Sequence, residues 1–423
     1  MIDHEGEPIV YSTETTDRAK LGFTHYSYGF VSHKFLDAFH LMGYHPKRVE
    51  FPAYYGGRGL PGVKIHIIFR STENIQTIVG CYNICCFAWE FEVLKTEERP
   101  FENPFANQKR MLEACQEIWV ACDYTKHVLE KSGLQNVHRI PAPITPPEVR
   151  KNVSREDLLL SLWKIESVLL KVSNIVPPTA DHVMPLIFRD CVIQAINDNC
   201  LFLTILNPHD KRKNMQEMIF GFMNALQQRP NAVLIIKLVL AEQMVPLAKV
   251  LDVVLRHYFD GEVTIACDRI VVISGYLADE ELATLYRLAD FYLCASVAEG
   301  QNLPLIEAMS YGVIPVSTVH TAMADYLTED NRIPIVTRPF SNYRREMAAD
   351  ITGRAYSVEF SSQTDVGRAL LRACALTPAE RLRMQKNARD TVTRQFSPRV
   401  VADKIRDRFA AITGKGRKND HHL

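Results

Sequence analysis

Short apolar segments alternate with amphipathic segments along most of the chain, and this alternation predicts strands separated by helices. In the first half, strand-like runs cover 8–14, 63–69, 83–89, 117–122 and 137–143, and helical runs cover 30–43 and 105–115. From residue 200 the pattern starts again, with strand-like runs at 200–206, 232–240, 269–274, 291–296 and 313–318 and helical runs at 214–226, 280–289 and 303–312. The chain is therefore predicted to form two α/β domains with parallel sheets.

The segment between these two patterns is less regular. Its charged, leucine-rich part, 154–171, predicts a helix. Beyond Thr377 the chain is rich in Arg and Ala and predicts long helices interrupted at Ser397–Pro398. We predict an amino-terminal domain over 1–147, a helical linker region over 148–199, a carboxy-terminal domain over 200–376, helices packing across the domains over 377–412 and a disordered tail over 413–423.

Composition narrows the class of protein. The length of 423 residues exceeds a typical single core. Lys+Arg and Asp+Glu are balanced at 49 each, so no overall field favours nucleic acid. The first residues do not have the pattern of a signal peptide and no apolar run reaches spanning length, so we expect neither a signal peptide nor a spanning helix, although peripheral membrane contact stays open. The ten cysteines form no CxxC pair, which favours a reduced cytoplasmic setting, including the inner face of a membrane, and predicts no metal site.

The segment AEGQNLPLIEAMSYGVIPV, residues 298–316, carries the densest candidate chemistry. Glu299 follows the strand 291–296, Pro304 is placed to begin a helix, Glu307 is expected in its first turn, and Gly312 is placed to end it. Ligands of open α/β sheets bind beyond the carboxyl ends of strands. The segment therefore predicts a ligand site around these two carboxylates.

The residue types at this site suit a nucleotide sugar. Backbone N–H groups at Gln301, Asn302 and Leu303 would bind a phosphate at a helix amino terminus. Carboxylates repel phosphate but accept hydrogen bonds from vicinal hydroxyls, so Glu307 would hold a ribose and Glu299 the sugar. Residue type alone leaves an alternative open, in which Glu307 complements the helix dipole and Glu299 is a solvated loop residue.

The same segment resembles the Glu–seven residues–Glu signature of retaining glycosyltransferases of the family-four group, which have the GT-B fold. Their pattern is roughly EG-x-x-LP-x-x-EAM-x-x-G-x-PV, and EGQNLPLIEAMSYGVIPV matches nearly every fixed position, Gly300 included. The resemblance implies two facing Rossmann-like domains with the donor cleft between them, and neither metal nor cofactor. It also implies that Glu299 contacts the donor sugar and Glu307 the ribose.

A basic loop after the strand 200–206 is a candidate for binding the diphosphate. Asn214 and Glu217 have the spacing of a capping box, which would deliver Arg212 and Lys213 to a helix amino terminus. The alternative is a solvated basic turn. Relatives carry an arginine at the strand end and a lysine six residues later. Lys213 matches the lysine, whereas Asn207 stands at the arginine position, which makes Arg212 or Lys237 a candidate substitute.

Two further positions are candidates by resemblance. Trp89-Glu90 follows the apolar run NICCFA, 83–88, close to where many relatives carry a histidine that supports the reacting sugar. Glu90 would orient the sugar or accept the acceptor's proton, or it is a strand-end glutamate paired with a basic residue. Trp89 is expected in the core. His320, in the loop after the strand 313–318, is a weaker candidate for contact with the donor. Lys237 lies in an apolar run and is expected to reach solvent from a sheet edge.

The function predicted from sequence is a retaining, metal-independent glycosyltransferase of hexosyltransferase type. It would transfer a sugar from a nucleoside-diphosphate donor to a hydroxyl of a saccharide or lipid-linked saccharide, in bacterial surface polysaccharide synthesis (O-antigen or capsule). One alternative is another reaction on this fold, such as nucleotide-sugar epimerisation or phosphorolysis. A second is a non-catalytic sugar-nucleotide-binding subunit, which Asn207 and the missing histidine favour.

Overall fold

The chain folds into two compact units. A computed structural model describes residues 8–14, 24–55, 59, 62, 64–95, 104–147, 154–155, 157–158, 167–173, 192, 195–208, 210–239, 264–273, 276–344 and 355–413. The amino-terminal unit consists mainly of Phe23–Thr145 and Thr391–Leu423, and the carboxy-terminal unit mainly of Pro146–Asp390. The helices after Thr377 are thus divided between the two units.

The amino-terminal unit has a parallel sheet whose strand residues are almost all buried. Its described strands are β1 (Ile9–Thr13), β2 (Lys47–Arg48), β3 (Ile65–Phe69), β4 (Tyr82–Phe87), β5 (Glu117–Val120) and β6 (Val137–Arg139). Their order in the sheet is β2-β1-β3-β4-β5-β6. Helices α1 (Thr24–Leu41), α2 (Gln108–Glu113) and α3 (Asp123–Lys131) connect them. Continuous apolar strands with helical connections are what parallel sheets require.

The carboxy-terminal unit has a second sheet of seven strands among the described residues. They are β7 (Ser167–Ser173), β8 (Leu201–Leu206), β9 (Val233–Leu238), β10 (Thr264–Ile273), β11 (Phe291–Cys294), β12 (Ile314–Ser317) and β13 (Ile333–Pro334). The order is β13-β12-β11-β8-β9-β10-β7, and only β7 pairs antiparallel. The helices are α4 (Met215–Leu226), α5 (Asp279–Leu288), α6 (Leu303–Ser310) and α7 (Gln363–Cys374).

Two more strands and two more helices follow these elements along the chain. Strands β14 (Arg338–Arg344) and β15 (Ala355–Phe360) form a two-stranded antiparallel sheet. Helices α8 (Pro378–Phe396) and α9 (Pro398–Thr413) meet at Ser397, as the Ser-Pro pair predicts. No helix in the described part of the chain is long and apolar enough to cross a membrane.

The strand order of the carboxy-terminal unit creates a reversal point beside β8. The chain proceeds from β8 to β9 on one side and later returns to β11 on the other side. In open α/β sheets a crevice forms at the carboxyl ends of strands where the order reverses, because the connections leave in opposite directions. The crevice at β8 and β11 is therefore the candidate ligand site of this unit.

The α/β class is confirmed, and one predicted helix is wrong over part of its length. The leucine-rich segment 154–171 was expected to be helical, but residues 167–173 form β7, which pairs with β10 at the edge of the carboxy-terminal sheet. A leucine-rich run is compatible with a helix or a strand, and here its pairing with β10 stabilises the strand. The tail predicted to be disordered covers 413–423; its first residue, Thr413, ends α9, and 414–423 lie outside the described residues.

Candidate active site

A pocket opens where β8 and β11 separate. The two strands pair only through Phe291 with Phe202 and Tyr292 with Leu203. Beyond that point the Tyr292 hydroxyl lies 3.2 Å from both the backbone nitrogen and the carbonyl oxygen of Ile205, bridging the gap. The pocket is open to solvent and is lined by Thr204, Ile205, Leu206, Lys213, Met218, Tyr292, Leu293, Cys294, Ser296, Glu299 and Asn302.

Lys213 and Glu299 form a buried ion pair in this pocket. The Nζ atom of Lys213 donates to Oε1 of Glu299 at 2.6 Å, and the side chains are 18% and 6% exposed. Burial by itself lowers the pKa of Lys213, but the carboxylates of Glu299 and Asp210 outweigh burial and raise this pKa above its ordinary value. Lys213 therefore carries a full positive charge, and the pocket offers one cation and one carboxylate side by side.

Arg212 joins the loop after β8 to the loop after β11. Its guanidinium binds Asp210, with Nε 2.9 Å from Oδ1, and its Nη1 donates to the carbonyl of Ala298 at 3.2 Å. Its own carbonyl accepts the N–H of Val297 at 2.8 Å. The Asp210 carboxylate compensates the charge of Arg212, so this arginine fixes the spacing of the two loops around the pocket.

The capping box predicted at the start of α4 is wrong. Asn214 adopts a left-handed conformation with φ +54°, and its side chain makes no cap bond to the helix. Its Nδ2 donates instead to the carbonyl of Ser361 at 3.1 Å, and the carboxylate of Glu217 accepts the backbone N–H of Gln363. Both side chains bind a segment far along the chain, so they fasten α4 to the start of α7.

The helix after Glu299 begins as the sequence indicates, with one shift. Asn302 is its N-cap, with φ +63°, and its Oδ1 accepts the N–H of Leu305 at 3.4 Å. Leu303 is the first helical residue and Pro304 the second, while Gly312 ends the element with φ +84°. Glu307 is therefore the fifth residue of α6 and lies beyond the first turn, contrary to expectation.

The rest of the predicted donor loop lies between Glu299 and α6. Gly300 and Gln301 follow Glu299 directly and are half-buried. The carbonyl of Gln301 accepts a hydrogen bond from the Tyr326 hydroxyl at 3.1 Å. Tyr326 follows the short 3₁₀ helix Thr321–Asp325, so the segment after β12 supports this loop from outside.

Glu307 is held by a tyrosine that sequence reasoning missed. The Tyr286 hydroxyl donates to Oε2 of Glu307 at 3.1 Å. Burial raises the pKa of Tyr292, and Glu299 and Glu307 are both close enough to raise it further. Both signature carboxylates therefore contribute negative charge at the Tyr292 hydroxyl. Tyr286 and Tyr292 sit in apolar runs, where nothing in the sequence distinguishes them from core residues.

Asn207 and Glu90 occupy different units. Asn207 follows β8, and its carbonyl accepts the N–H of Asp210 at 3.1 Å, which shapes the turn that carries Lys213. Glu90 is half-buried in the amino-terminal unit, just beyond β4. Trp89 is buried there, as predicted, with its Nε1 donating to the carbonyl of Val93 at 3.0 Å.

The prediction that Lys237 reaches solvent from a sheet edge is wrong. Its strand, β9, pairs with β8 on one side and β10 on the other, and the side chain is only 5% exposed. Its Nζ donates to the carbonyl of Leu238 at 2.7 Å. Burial lowers the pKa of Lys237 to about 8 because desolvation disfavours the charged ammonium group.

We expect Lys237→Met to abolish a pH-dependent part of the stability. Between pH 8 and 10.5 the folded chain loses this proton while the unfolded chain keeps it, so the unfolding free energy of the natural chain should rise. The shift corresponds to about 3 kcal/mol. Urea unfolding of both proteins at pH 7.5 and 10.5 measures the difference between them. A constant difference across that range would contradict a lowered pKa.

No group of three or more His, Cys, Asp or Glu side chains converges as metal ligands within the described ranges. The charged pocket groups are those of the loops after β8 and β11.

Comparisons with known proteins find related sequences and folds. A model of the family described as "Glycosyl transferases group 1" matches residues 206–352, a range that includes Lys213, Glu299 and Glu307. Mannosylfructose-phosphate synthase from Agrobacterium fabrum (strain C58) is 44% identical over 50 residues, which is 12% of this chain. The chain covers only 11% of the length of that synthase.

Solved structures share the fold at low identity. HepE from Anabaena, solved with UDP and glucose, gives a TM-score of 0.58 at 10% identity, over 95% of this chain and 99% of that chain. TarM from S. aureus, in a complex that includes UDP, gives a TM-score of 0.50 at 9% identity, over 82% of this chain and 55% of that one. At such identities the likeness shows the fold alone, and it is the predicted GT-B fold. Over residues 206–352 the chain is similar to the glycosyl transferases group 1 family.

Proposed function

We propose that this chain is a retaining glycosyltransferase that transfers a hexosyl group from a nucleoside-diphosphate donor to an acceptor hydroxyl. The observation that carries the proposal is the Lys213–Glu299 pair in the crevice between β8 and β11, beside the amino terminus of α6. A nucleotide sugar has a charged diphosphate between two groups that bear hydroxyls. This pocket has a cation beside one carboxylate, Lys213 and Glu299, and the second carboxylate, Glu307, lies on the helix that follows Glu299.

Each group of the donor has a proposed partner. Lys213 binds the diphosphate, and the loop 300–303 contributes backbone N–H groups at the start of α6. Glu299 accepts hydrogen bonds from hydroxyls of the transferred sugar, and Glu307 accepts those of the ribose. Arg212 and Asn207 shape the loop that presents Lys213, through Asp210. Donor binding must draw Lys213 from Glu299 towards the phosphates.

The proposed mechanism needs no metal for the leaving group. Negative charge develops on the departing diphosphate in the transition state, and Lys213 with the helix amino terminus stabilises it. A departing phosphate oxygen takes the acceptor's proton, and the sugar keeps its anomeric configuration. We also propose Glu90 as a residue that orients the sugar or accepts that proton.

For the acceptor we propose a saccharide or lipid-linked saccharide of bacterial surface polysaccharide synthesis. The relatives named above include a synthase of a phosphorylated disaccharide and a protein solved with UDP and glucose, so sugars are the common chemical class. Cytoplasmic synthesis from a nucleotide sugar, including at the inner face of a membrane, fits a chain with ten cysteines and no CxxC pair.

Nucleotide binding is the first test. We expect one of UDP, GDP, ADP and dTDP to raise the melting temperature, because a ligand at 100 times its Kd adds about 2.7 kcal/mol of stability. Glu307→Gln should lose most of this shift by removing the ribose contact. Glu329→Gln, an exposed glutamate in the same unit, is the control. No response to any of the four would count against the proposal.

Turnover then separates the alternatives. Incubation with the matching sugar nucleotides, with and without saccharide acceptors, should give nucleoside diphosphate and a glycoside only when acceptor is present. A new sugar nucleotide without acceptor would indicate an epimerase. Binding without turnover would indicate a non-catalytic subunit. The observation that favours a non-catalytic subunit is that both basic side chains already have a carboxylate partner. Lys213 pairs with Glu299, and Arg212 pairs with Asp210.

A further inference from the structure

The backbone of Glu299 is held by the turn after β12. The N–H of Glu299 donates to the Thr321 hydroxyl at 2.9 Å, and its carbonyl accepts the N–H of Ala322 at 3.3 Å. The Thr321 hydroxyl in turn donates to the carbonyl of His320 at 2.8 Å. Since this hydroxyl accepts one hydrogen bond and donates another, its orientation is fixed. Both backbone groups of Glu299 are therefore tied to residues 321 and 322.

This turn has an unfavourable local conformation. Thr321 has φ +50°, in the left-handed region that β-branched residues rarely adopt. Its neighbour His320 is only 9% exposed, and neither ring nitrogen has a hydrogen-bond partner of good geometry among the described residues. Burial lowers the pKa of His320, consistent with a neutral imidazole. The left-handed conformation of Thr321 and the burial of the His320 ring both cost free energy. The two hydrogen bonds with the backbone of Glu299 help to offset that cost.

The turn holds Glu299 independently of Lys213. In the structure the Glu299 side chain is oriented by its 2.6 Å contact with Lys213. A diphosphate competes for that lysine, since both it and the carboxylate are anions. When Lys213 binds the phosphates instead of Glu299, the hydrogen bonds with Thr321 and Ala322 still fix the backbone of Glu299 and so the position of its Cα atom.

We propose that Thr321 is a positioning residue whose hydroxyl, held in a strained turn, aims Glu299 at the transferred sugar. This inference rests on the proposed function, because it assigns Glu299 a sugar to grip. Thr321 itself contacts no reacting atom. Its effect should therefore appear with sugar-bearing donors and be absent with the bare nucleoside diphosphate.

Three substitutions separate the hydroxyl from the strain. Thr321→Ser keeps the hydroxyl and removes the branch, so activity should stay near that of the natural chain. Thr321→Gly removes the hydroxyl and relieves the left-handed conformation. It should lower kcat/KM for the sugar donor about 100-fold, as small misplacements of catalytic groups do. Its melting temperature should be no lower than that of the natural chain. Thr321→Ala should lose both activity and stability. Thr364→Ala, at an exposed position of α7, is the control.

Amide hydrogen exchange tests the same contact without turnover. Exchange at the Glu299 N–H should be faster in Thr321→Gly and Thr321→Ala and unchanged in Thr321→Ser. The Kd of the bare nucleoside diphosphate should be the same in all of them. A residue with a merely structural role would instead lower the melting temperature in Thr321→Gly and weaken nucleotide and sugar donor alike.

The outcomes distinguish the two proposals. If the natural chain transfers no sugar, the proposed function fails, while unchanged exchange at Glu299 in Thr321→Gly separately overturns the positioning role. If the natural chain is active and Thr321→Gly keeps full kcat/KM, the positioning role is wrong and the proposed function stands.

Discussion

Glu299→Gln should reduce kcat/KM for the sugar donor by about 100-fold to 1,000-fold. The substitution keeps the shape of the side chain but replaces an acceptor-only carboxylate with a neutral amide. Hydrogen bonds to a charged group contribute about 1.5–3 kcal/mol each, and two hydroxyls of the sugar lose them together. Initial rates with saturating acceptor measure the change. Activity equal to that of the natural chain would remove Glu299 from the mechanism.

The same substitution should also lower the free energy of unfolding. Removing Glu299 leaves Lys213 buried without its nearest counter-charge, and breaking a buried pair costs about 3–5 kcal/mol. Lys213→Met should cost a similar amount by stranding the carboxylate. The double variant should recover most of the loss, because no charge remains unpaired, yet it should stay inactive. Urea unfolding of the three variants gives the coupling energy.

A surface pair provides the matched control for this cycle. Lys386 and Asp390 lie one turn apart on α8, with side chains 70% and 41% exposed. Exposed pairs of this kind contribute below about 1 kcal/mol, so Lys386→Met should change the unfolding free energy little. Equal losses at the two lysines would mean that the Lys213–Glu299 contact gains nothing from burial.

The parts of this site that sequence could predict are those encoded within one segment. The strand 291–296, the helix start near Pro304 and the stop at Gly312 follow from apolar runs, a proline and a glycine in one stretch. The same stretch places Glu299 after a strand end. For these features the local preferences and the tertiary structure agree, so a pattern of residues was sufficient.

The features of the site that the sequence did not predict depend on contacts between residues far apart in the chain. Asn214 has the spacing of a helix cap, but its side chain binds Ser361, 147 residues away. Lys237 looks like an edge residue until the strand order places β9 between β8 and β10. The left-handed Thr321 contradicts its own residue preference, and its hydroxyl accepts the N–H of Glu299, 22 residues earlier in the chain. Strand order and long-range hydrogen bonds decide these cases, and neither leaves a signal in a local pattern.

Another buried carboxylate, Glu117, lies at the amino end of a strand, whereas Glu299 follows the carboxyl end of one. Glu117 begins β5, and its side chain is fully buried. Oε1 and Oε2 each accept a bond of 2.9 Å from the Arg408 guanidinium, and Oε1 also accepts the Trp119 Nε1–H at 2.7 Å. Ligands in such sheets bind at carboxyl ends, so this cluster fastens α9 to the amino-terminal sheet.

Arg408→Met should therefore lower the stability of the amino-terminal unit by about 3–5 kcal/mol, the range for stranding a buried charge. Arg408→Lys should recover only part of this, because an ammonium group cannot reproduce the two parallel bonds of the guanidinium. Arg406→Met is the control, since Arg406 is 56% exposed and pairs with Asp403 on its own helix. Urea unfolding followed by tryptophan fluorescence measures all three, because Trp119 contacts Glu117 directly.

If Arg408→Met unfolds at the urea concentration of the Arg406→Met protein, the ion pair does not hold α9. A large loss that the double variant Glu117→Gln/Arg408→Met largely reverses would instead assign the effect to the stranded carboxylate rather than to lost packing.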